Sequence, residues 1–479
     1  MFLPAIVVPF NVLGQVGSEI DHARPWSIDT LIVEEHARAL SHDSMMGRGT
    51  GTPELGLAAS YISDVCTTLN LQPLGSDFLL PVPLVRARIF ATTNLQVSLA
   101  GRVAQFAHGQ PFIHGFTTRR SLRSFGGFSV LVGTAEEILA DTGSDDLTGR
   151  VAVTPGTVDR VSASRLRDRG AIAIVQLTGT EDLFNDIRGH LGPSRIFLAD
   201  STIESSYAPP LPSLILNSQL SQNLYRSLNA GAEVHLRYRL ETALNELLEY
   251  NVGCVLPGTS DSAIVFTAHY DHLGIRDTTT TSDSIFNGFS DNAAGVGMLL
   301  AIAQTAASMT RRLDSDLVFL FFTGEELGLL GSDYFVERPP IPLDRFRAVI
   351  NLDAGAPPAP PTTWRIAGGD SSALGAVAVE TATSEGWTAT VSPAVPNSDY
   401  FPFWRKNVPS VFLIPGAGAF EGLTADSSDA LRRRWDRYHR PDDEWHTDFP
   451  LSGVARYAEF AYLVALAVER GRSGQDPSK

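Results

Sequence analysis

A chain of 479 residues, 43% of them hydrophobic, can bury large cores and is too long for one ordinary domain. Its formal charge of −16 excludes a general nucleic-acid binder and a protein held on anionic membrane. No apolar run reaches the ~20 residues of a membrane span, and two cysteines, Cys66 and Cys254, are too few for a disulfide scaffold or a cysteine-ligated zinc site.

Residues 2–16 are apolar enough for the core of an export signal, although no Lys or Arg precedes them and no A-x-A site follows closely. They could equally be a strand packed on the body; the export reading is preferred, with residues 1–24 as its remnant and an extracytoplasmic (periplasmic or secreted) location. Residues 28–44 carry helical periodicity, 45–53 (MMGRGTGTP) form a Gly/Thr turn cluster, and 54–71 predict a second helix. Whether Cys66 and Cys254 pair is left open.

From about residue 81 the character turns to β, and residues 100–242 read as a self-contained β-rich domain with one or two helices. His108, His114, His190 and His235 are scattered there without ligand spacing. They are read as ordinary structural or surface histidines.

The stretch 263–326 organises the rest. Residues 263–267 and 317–322 have the length and composition of buried strands, and 293–307 between them predict a helix. Strand, helix, strand is a βαβ unit, so the two strands should be parallel neighbours. His269 and Asp271 follow the first strand, Glu325 and Glu326 the second, and Asp291 precedes the helix. A third run, 347–352, ends in Asp353. Open α/β sheets bind ligands outside the carboxyl ends of their strands, so these groups should share one crevice. One histidine among that many carboxylates calls for a cation.

Further on, 356–361 (APPAPP) cannot be helix or central strand. Residues 364–367 and 410–414 predict strands, 372–387 a helix, and 452–471 a closing helix with an apolar face for the sheet. H-x-D, GEE or a lone Asp after a strand is weak evidence singly. Together, His269, Asp291, Glu326, Asp353 and the later His439 supply the nitrogen and oxygen ligands two metal ions need if one carboxylate bridges. Zinc, manganese and cobalt all fit, and histidine with carboxylate favours zinc.

The motifs AHYDH, SDNAAG, TGEELGLLGS, INLD, SDYFPF and YHRPDDE, in this order across 265–444, resemble the co-catalytic zinc aminopeptidases of metallopeptidase clan MH, of the aminopeptidase Y and bacterial secreted leucyl aminopeptidase type. MMGRGTGTP extends the likeness to the N-terminal helices, and 100–242 resemble the protease-associated (PA) domain that many members insert. The resemblance implies an α/β fold with a mixed, mostly parallel central sheet flanked by helices. The catalytic domain is then discontinuous (25–99 and 243–475), interrupted by the insertion 100–242.

It also implies two zinc ions and a peptide substrate. Asp291 bridges both ions across a cis bond to Asn292; His269 and Asp353 complete one site, Glu326 and His439 the other. Asp271 orients His269, Asp443 serves His439 in the same way, and Glu325 is the general base for a metal-bridging water. Tyr400 is the second oxyanion donor, although many relatives carry His there. His272 and His446 match no ligand position and read as structural. The implied activity is zinc-dependent removal of N-terminal residues from peptides. Its alternatives are a carboxypeptidase or dipeptidase, for which Arg405, Arg432, Arg433 or Arg434 would bind the carboxylate, a glutaminyl cyclase, or a receptor-like binding protein. Oligomeric state is not legible.

Overall fold

The computed structural model describes residues 26–141, 146–191, 194–276 and 283–473. The segment read as an export-signal remnant lies outside them. His190 lies in the helix Glu181–Leu191.

Ten strands form the larger sheet. At its centre Ala263–His269 lies parallel to both Asp316–Phe322 and Phe346–Asn351, and Phe346–Asn351 is parallel to Ser410–Pro415. Antiparallel strands flank this centre: Thr242–Leu256 against Asp316–Phe322, Leu79–Ile89 against Thr242–Leu256, and Thr363–Ala367 against Ser410–Pro415. The sheet is mixed, with its parallel part where the βαβ reading put it.

Every residue of Ala263–His269 is buried. Alternation along it divides the side chains between two cores. Ile264, Phe266 and Ala268 join the helices Thr30–Leu40, Ala294–Ser308 and Ser452–Ser473 on one face; Ala263 and Val265 join Phe335 and Phe403 on the other. A strand covered on both faces needs an unbroken apolar run, which is why its polar residues appear only at its end. The helix Pro53–Thr68 packs on the first face too, and there Cys66 is bonded to Cys254 across a sequence separation of 188. Closing so long a loop constrains the unfolded chain, so reduction, or Cys66→Ser, should cost about 2–4 kcal/mol of stability. Urea midpoints with and without reductant would measure it; equal midpoints would contradict it.

The second sheet has eight strands, from Asn94–Leu99 to Val234–Arg239 in sequence. Phe125–Leu131, Val151–Pro155, Ala173–Leu177 and Ser213–Leu216 run parallel at its middle. Two details differ from the division at residues 100 and 242. Asn94–Leu99 pairs into the second sheet, and Ser194–Leu198, from within the insertion, pairs with Leu79–Ile89 at the edge of the larger sheet. A strand from within the inserted segment is therefore hydrogen-bonded into the larger sheet.

Candidate metal and catalytic site

The polar groups meet at the carboxyl end of the parallel strands. His269, the last residue of its strand, places Nε2 2.9 Å from Asp353 Oδ1 and 3.1 Å from Asp291 Oδ1. The other oxygen of Asp291 lies 3.2 Å from His439 Nε2, which is also 3.2 Å from Glu326 Oε2. Asp291 thus reaches one histidine with each oxygen. His269–Asp353 sits to one side and His439–Glu326 to the other, the arrangement a bridging carboxylate requires. The Asp291–Asn292 peptide bond is cis.

His269, Asp291 and Asp353 form one group whose ligand atoms lie within 4.8 Å of one another. The second such group is Asp291, Glu326 and His272, a histidine read from the sequence as structural. Its Nδ1 is 2.6 Å from Glu326 Oε1 and 3.9 Å from Asp291 Oδ2, its side chain is fully buried, and its Nε2 has no hydrogen-bond partner among the described residues. His272 belongs to the cluster, three residues beyond His269. His446 does not: its ring packs 5.5 Å from that of Trp435.

The turn Gly47–Thr50 supplies what the glycine pattern there did not reveal. Arg48 is completely buried and donates to four carbonyls: Nε to Tyr270 (2.7 Å), Nη1 to Leu40 (2.5 Å) and Asn287 (2.7 Å), and Nη2 to Gly288 (2.9 Å). Burial lowers its pKa to about 10, opposed by Asp271, Asp443, Asp291 and Glu326, so it remains a cation at neutral pH beneath the carboxylates. Gly47 has φ +69°, and a Cβ there would lie 2.4 Å from Phe286 O, so the turn admits only glycine.

Asp271 acts differently from the expectation. His269 Nδ1 is 3.1 Å from the backbone carbonyl of Asp271 and 3.7 Å from its carboxylate. A ring donating from Nδ1 presents the Nε2 lone pair to the cluster, so the carbonyl orients the ring. The Asp271 carboxylate instead accepts from Glu325 N (3.1 Å) and Thr50 Oγ1 (3.0 Å), holding the glutamate turn. Asp443 likewise directs its carboxylate to the amides of Ser290 (3.0 Å) and Asp291 (3.2 Å), fixing the loop that carries the bridging residue.

Tyr400, expected as an oxyanion donor, has its hydroxyl on a neighbouring turn. Its buried hydroxyl donates to Val395 O (2.9 Å) and accepts from Val395 N (2.8 Å), and burial pushes it up to about 12. Both capacities are spent on a turn, which leaves nothing for an oxyanion. Tyr400→Phe should cost about 1 kcal/mol, because Val395 loses its partner, and leave peptide turnover within about twofold; a hundredfold loss of turnover would return the residue to the site. Two other tyrosines are near. Tyr438, 67% exposed, stacks on His439 with ring centroids 3.8 Å apart. Tyr207, from the inserted segment, is raised by burial and then by Glu325 and Glu326, and packs against Gly328.

Burial, and beyond it the charges of Asp353, Asp399 and Glu326, hold the Glu325 carboxyl well above the usual range, against the pull of His269. Glu326 is drawn down to about 2: burial opposes this, and its bonds to His272 and His439 prevail. Adjacent glutamates are thus pushed apart, one toward proton uptake and one toward an anionic ligand. Asp399 is buried with its carboxyl raised to about 8, chiefly by burial, and Ser332 Oγ lies 2.5 Å away. Asp353 is held through Ser398, to which Asn351 donates at 2.6 Å. Of the arginines considered for a substrate carboxylate, Arg405 bonds Ser206 (2.8 Å), Arg432 bonds Asp429 (2.9 Å) and Arg434 bonds Asp448 (2.6 Å).

Residues 251–464 match the profile of Peptidase family M28. The chain is 26% identical over 290 residues to a probable leucine aminopeptidase 2 of Aspergillus fumigatus, an alignment covering 58% of this chain and 53% of that protein. A probable leucine aminopeptidase 2 of Aspergillus oryzae is 29% identical over 160 residues, 31% of this chain and 30% of that one. The chain thus spans about half the length, or less, of these curated relatives. Among solved structures it superposes on an aminopeptidase from Aneurinibacillus sp. strain AM-1 with TM-score 0.57 and 16% identity, covering 92% of this chain and 94% of that one. A zinc aminopeptidase from Bacillus subtilis gives TM-score 0.50 and 17% identity over 92% and 95%. In sequence, residues 251–464 are similar to Peptidase family M28, and in fold nearly the whole chain is similar to these two aminopeptidases.

Proposed function

We propose that the chain is a zinc-dependent exopeptidase, an aminopeptidase that hydrolyses N-terminal residues from peptides. The observation that carries this is Asp291 spanning His269 and His439, with Glu325 beside the ligand-type Glu326. Two zinc ions fit the donor set: His269 and Asp353 would hold one, Glu326 and His439 the other, with Asp291 shared and His272 against Glu326. Bound there, zinc lowers the pKa of water toward neutrality and polarises a carbonyl oxygen.

The chain's own groups do the rest. Glu325 takes the proton of the attacking water on its carboxylate and returns it to the leaving amine. Asp271 keeps the Glu325 amide in place, and the Tyr438 or Tyr207 hydroxyl takes the donor role first assigned to Tyr400. Residues 100–242 act as a PA-type module beside the site, to which they bring Tyr207. Three of the four arginines first considered for a substrate carboxylate are engaged elsewhere, which takes those three side chains from the carboxypeptidase reading. Among the described residues no helix is long and apolar enough to cross a membrane. The disulfide supports an extracytoplasmic location.

The test is a mass-spectrometric time course on one peptide with a free or acetylated N-terminus, with and without chelator. Stepwise loss from the free N-terminus, abolished by acetylation and by chelation, is the expected result. Cleavage from the other end would move the case to a carboxypeptidase. In the same preparation His439→Ala should lower bound zinc from two ions to one per chain; two ions retained would remove His439 from the site.

A further inference from the structure

Where the inserted segment meets the turn after Glu326, the fold forms a half-open cavity of about 350 Å³, within the range of small-molecule sites. Leu198, Ile203, Leu327 and Leu330 form apolar wall. Five arginines also line it, against three carboxylates. Each carboxylate is already engaged: Asp200 with Arg338 at 2.7 Å, Glu204 with Arg160 at 3.4 Å, and Asp333 with the Ser206 amide at 2.6 Å and Arg405 at 3.7 Å. Arg120 and Arg123 are different. Both are exposed, and neither forms an ion pair among the described residues. In a chain of net charge −16, two uncompensated guanidiniums beside an apolar chamber mark a place for an anion with a hydrocarbon body.

We propose that this cavity binds a small apolar carboxylate, its hydrocarbon part against Leu327 and Leu330 and its carboxylate on Arg120 and Arg123. The guanidinium fork matches a carboxylate in two parallel hydrogen bonds, and the wall removes the rest of the ligand from water. Two sources share this chemistry: a free carboxylate, and the C-terminal residue of a bound peptide. Only the second rests on the peptidase reading above.

The experiment is calorimetric titration of the full chain with N-acetyl-L-phenylalanine and, as uncharged control, its amide. The acid is expected to bind once per chain and at least tenfold more tightly than the amide. Arg120→Ser with Arg123→Ser should lose that tenfold, while Arg120→Lys with Arg123→Lys, which keeps the charge and loses the fork, retains part of it. Equal binding of acid and amide, or undiminished binding by the double serine variant, would overturn the proposal. Kinetics separate the sources. If the ligand is a peptide C-terminus, the serine variant raises KM for leucyl-phenylalanine and not for a leucine anilide; if it is a free carboxylate, neither KM moves while acid binding is lost. A wild-type protein inactive on both substrates would undo the peptidase reading and leave the calorimetric result to decide the site.

Discussion

Glu325→Ala is expected to lower peptide turnover by 10²–10⁴-fold, the usual contribution of a positioned general base, or about 3–5 kcal/mol of barrier, while both zinc ions stay bound. The two glutamates are neighbours in sequence but not in environment. Glu326 has one oxygen 2.6 Å from His272 and the other 3.2 Å from His439, so its carboxylate is committed to the cluster. Glu325 is half-buried near Asp353 and Asp399, and of its own groups the amide is held by Asp271 at 3.1 Å. Its carboxyl is already pushed toward holding a proton, and bound cations would bring it back into the range a base needs. The measurement is zinc content beside kcat for the variant. Loss of zinc would make Glu325 a ligand, and unchanged kcat would remove it from the chemistry.

Arg48→Ala should cost about 3–5 kcal/mol of stability, the loss seen when one partner of a buried charged network is removed. Four carbonyls, of Leu40, Tyr270, Asn287 and Gly288, would lose a donor where no water reaches them, and four nearby carboxylates would lose a counter-charge. Lysine should rescue little, because one ammonium with three donors cannot reproduce four bonds from a planar fork. Zinc affinity should hold or rise, since a cation leaves the neighbourhood of a cation site. Urea unfolding with zinc present and absent checks both parts; a loss below about 1 kcal/mol would mean that the turn closes without Arg48.

His269, Asp291, Glu326 and Asp353 were legible in the sequence because each ends an apolar run or begins a helix. A strand buried on both faces has nowhere to put a charge except its end, so pattern alone marks the site. His439 follows no such run and was legible only through the likeness of YHRPDDE to a known family. The βαβ unit was readable for the same local reason as the strand ends, as were the closing helix and the β-rich character of the insertion.

Tertiary structure decided what depends on partners far away in the chain. His272 gained its place from Glu326, 54 residues on, and Arg48 from carbonyls up to 240 residues away. The Tyr400 hydroxyl is engaged by the backbone of Val395. The Cys66–Cys254 bond, the strand Ser194–Leu198 crossing into the larger sheet, and Tyr207 beside the glutamates are likewise products of docking. The amino-acid sequence by itself marked the ends of the apolar runs and the helix start where His269, Asp291, Glu326 and Asp353 stand, because burial writes a periodic pattern. Only the folded chain decided which polar atoms were already satisfied by a distant backbone, because a hydrogen bond depends on position in space and leaves no period in the sequence.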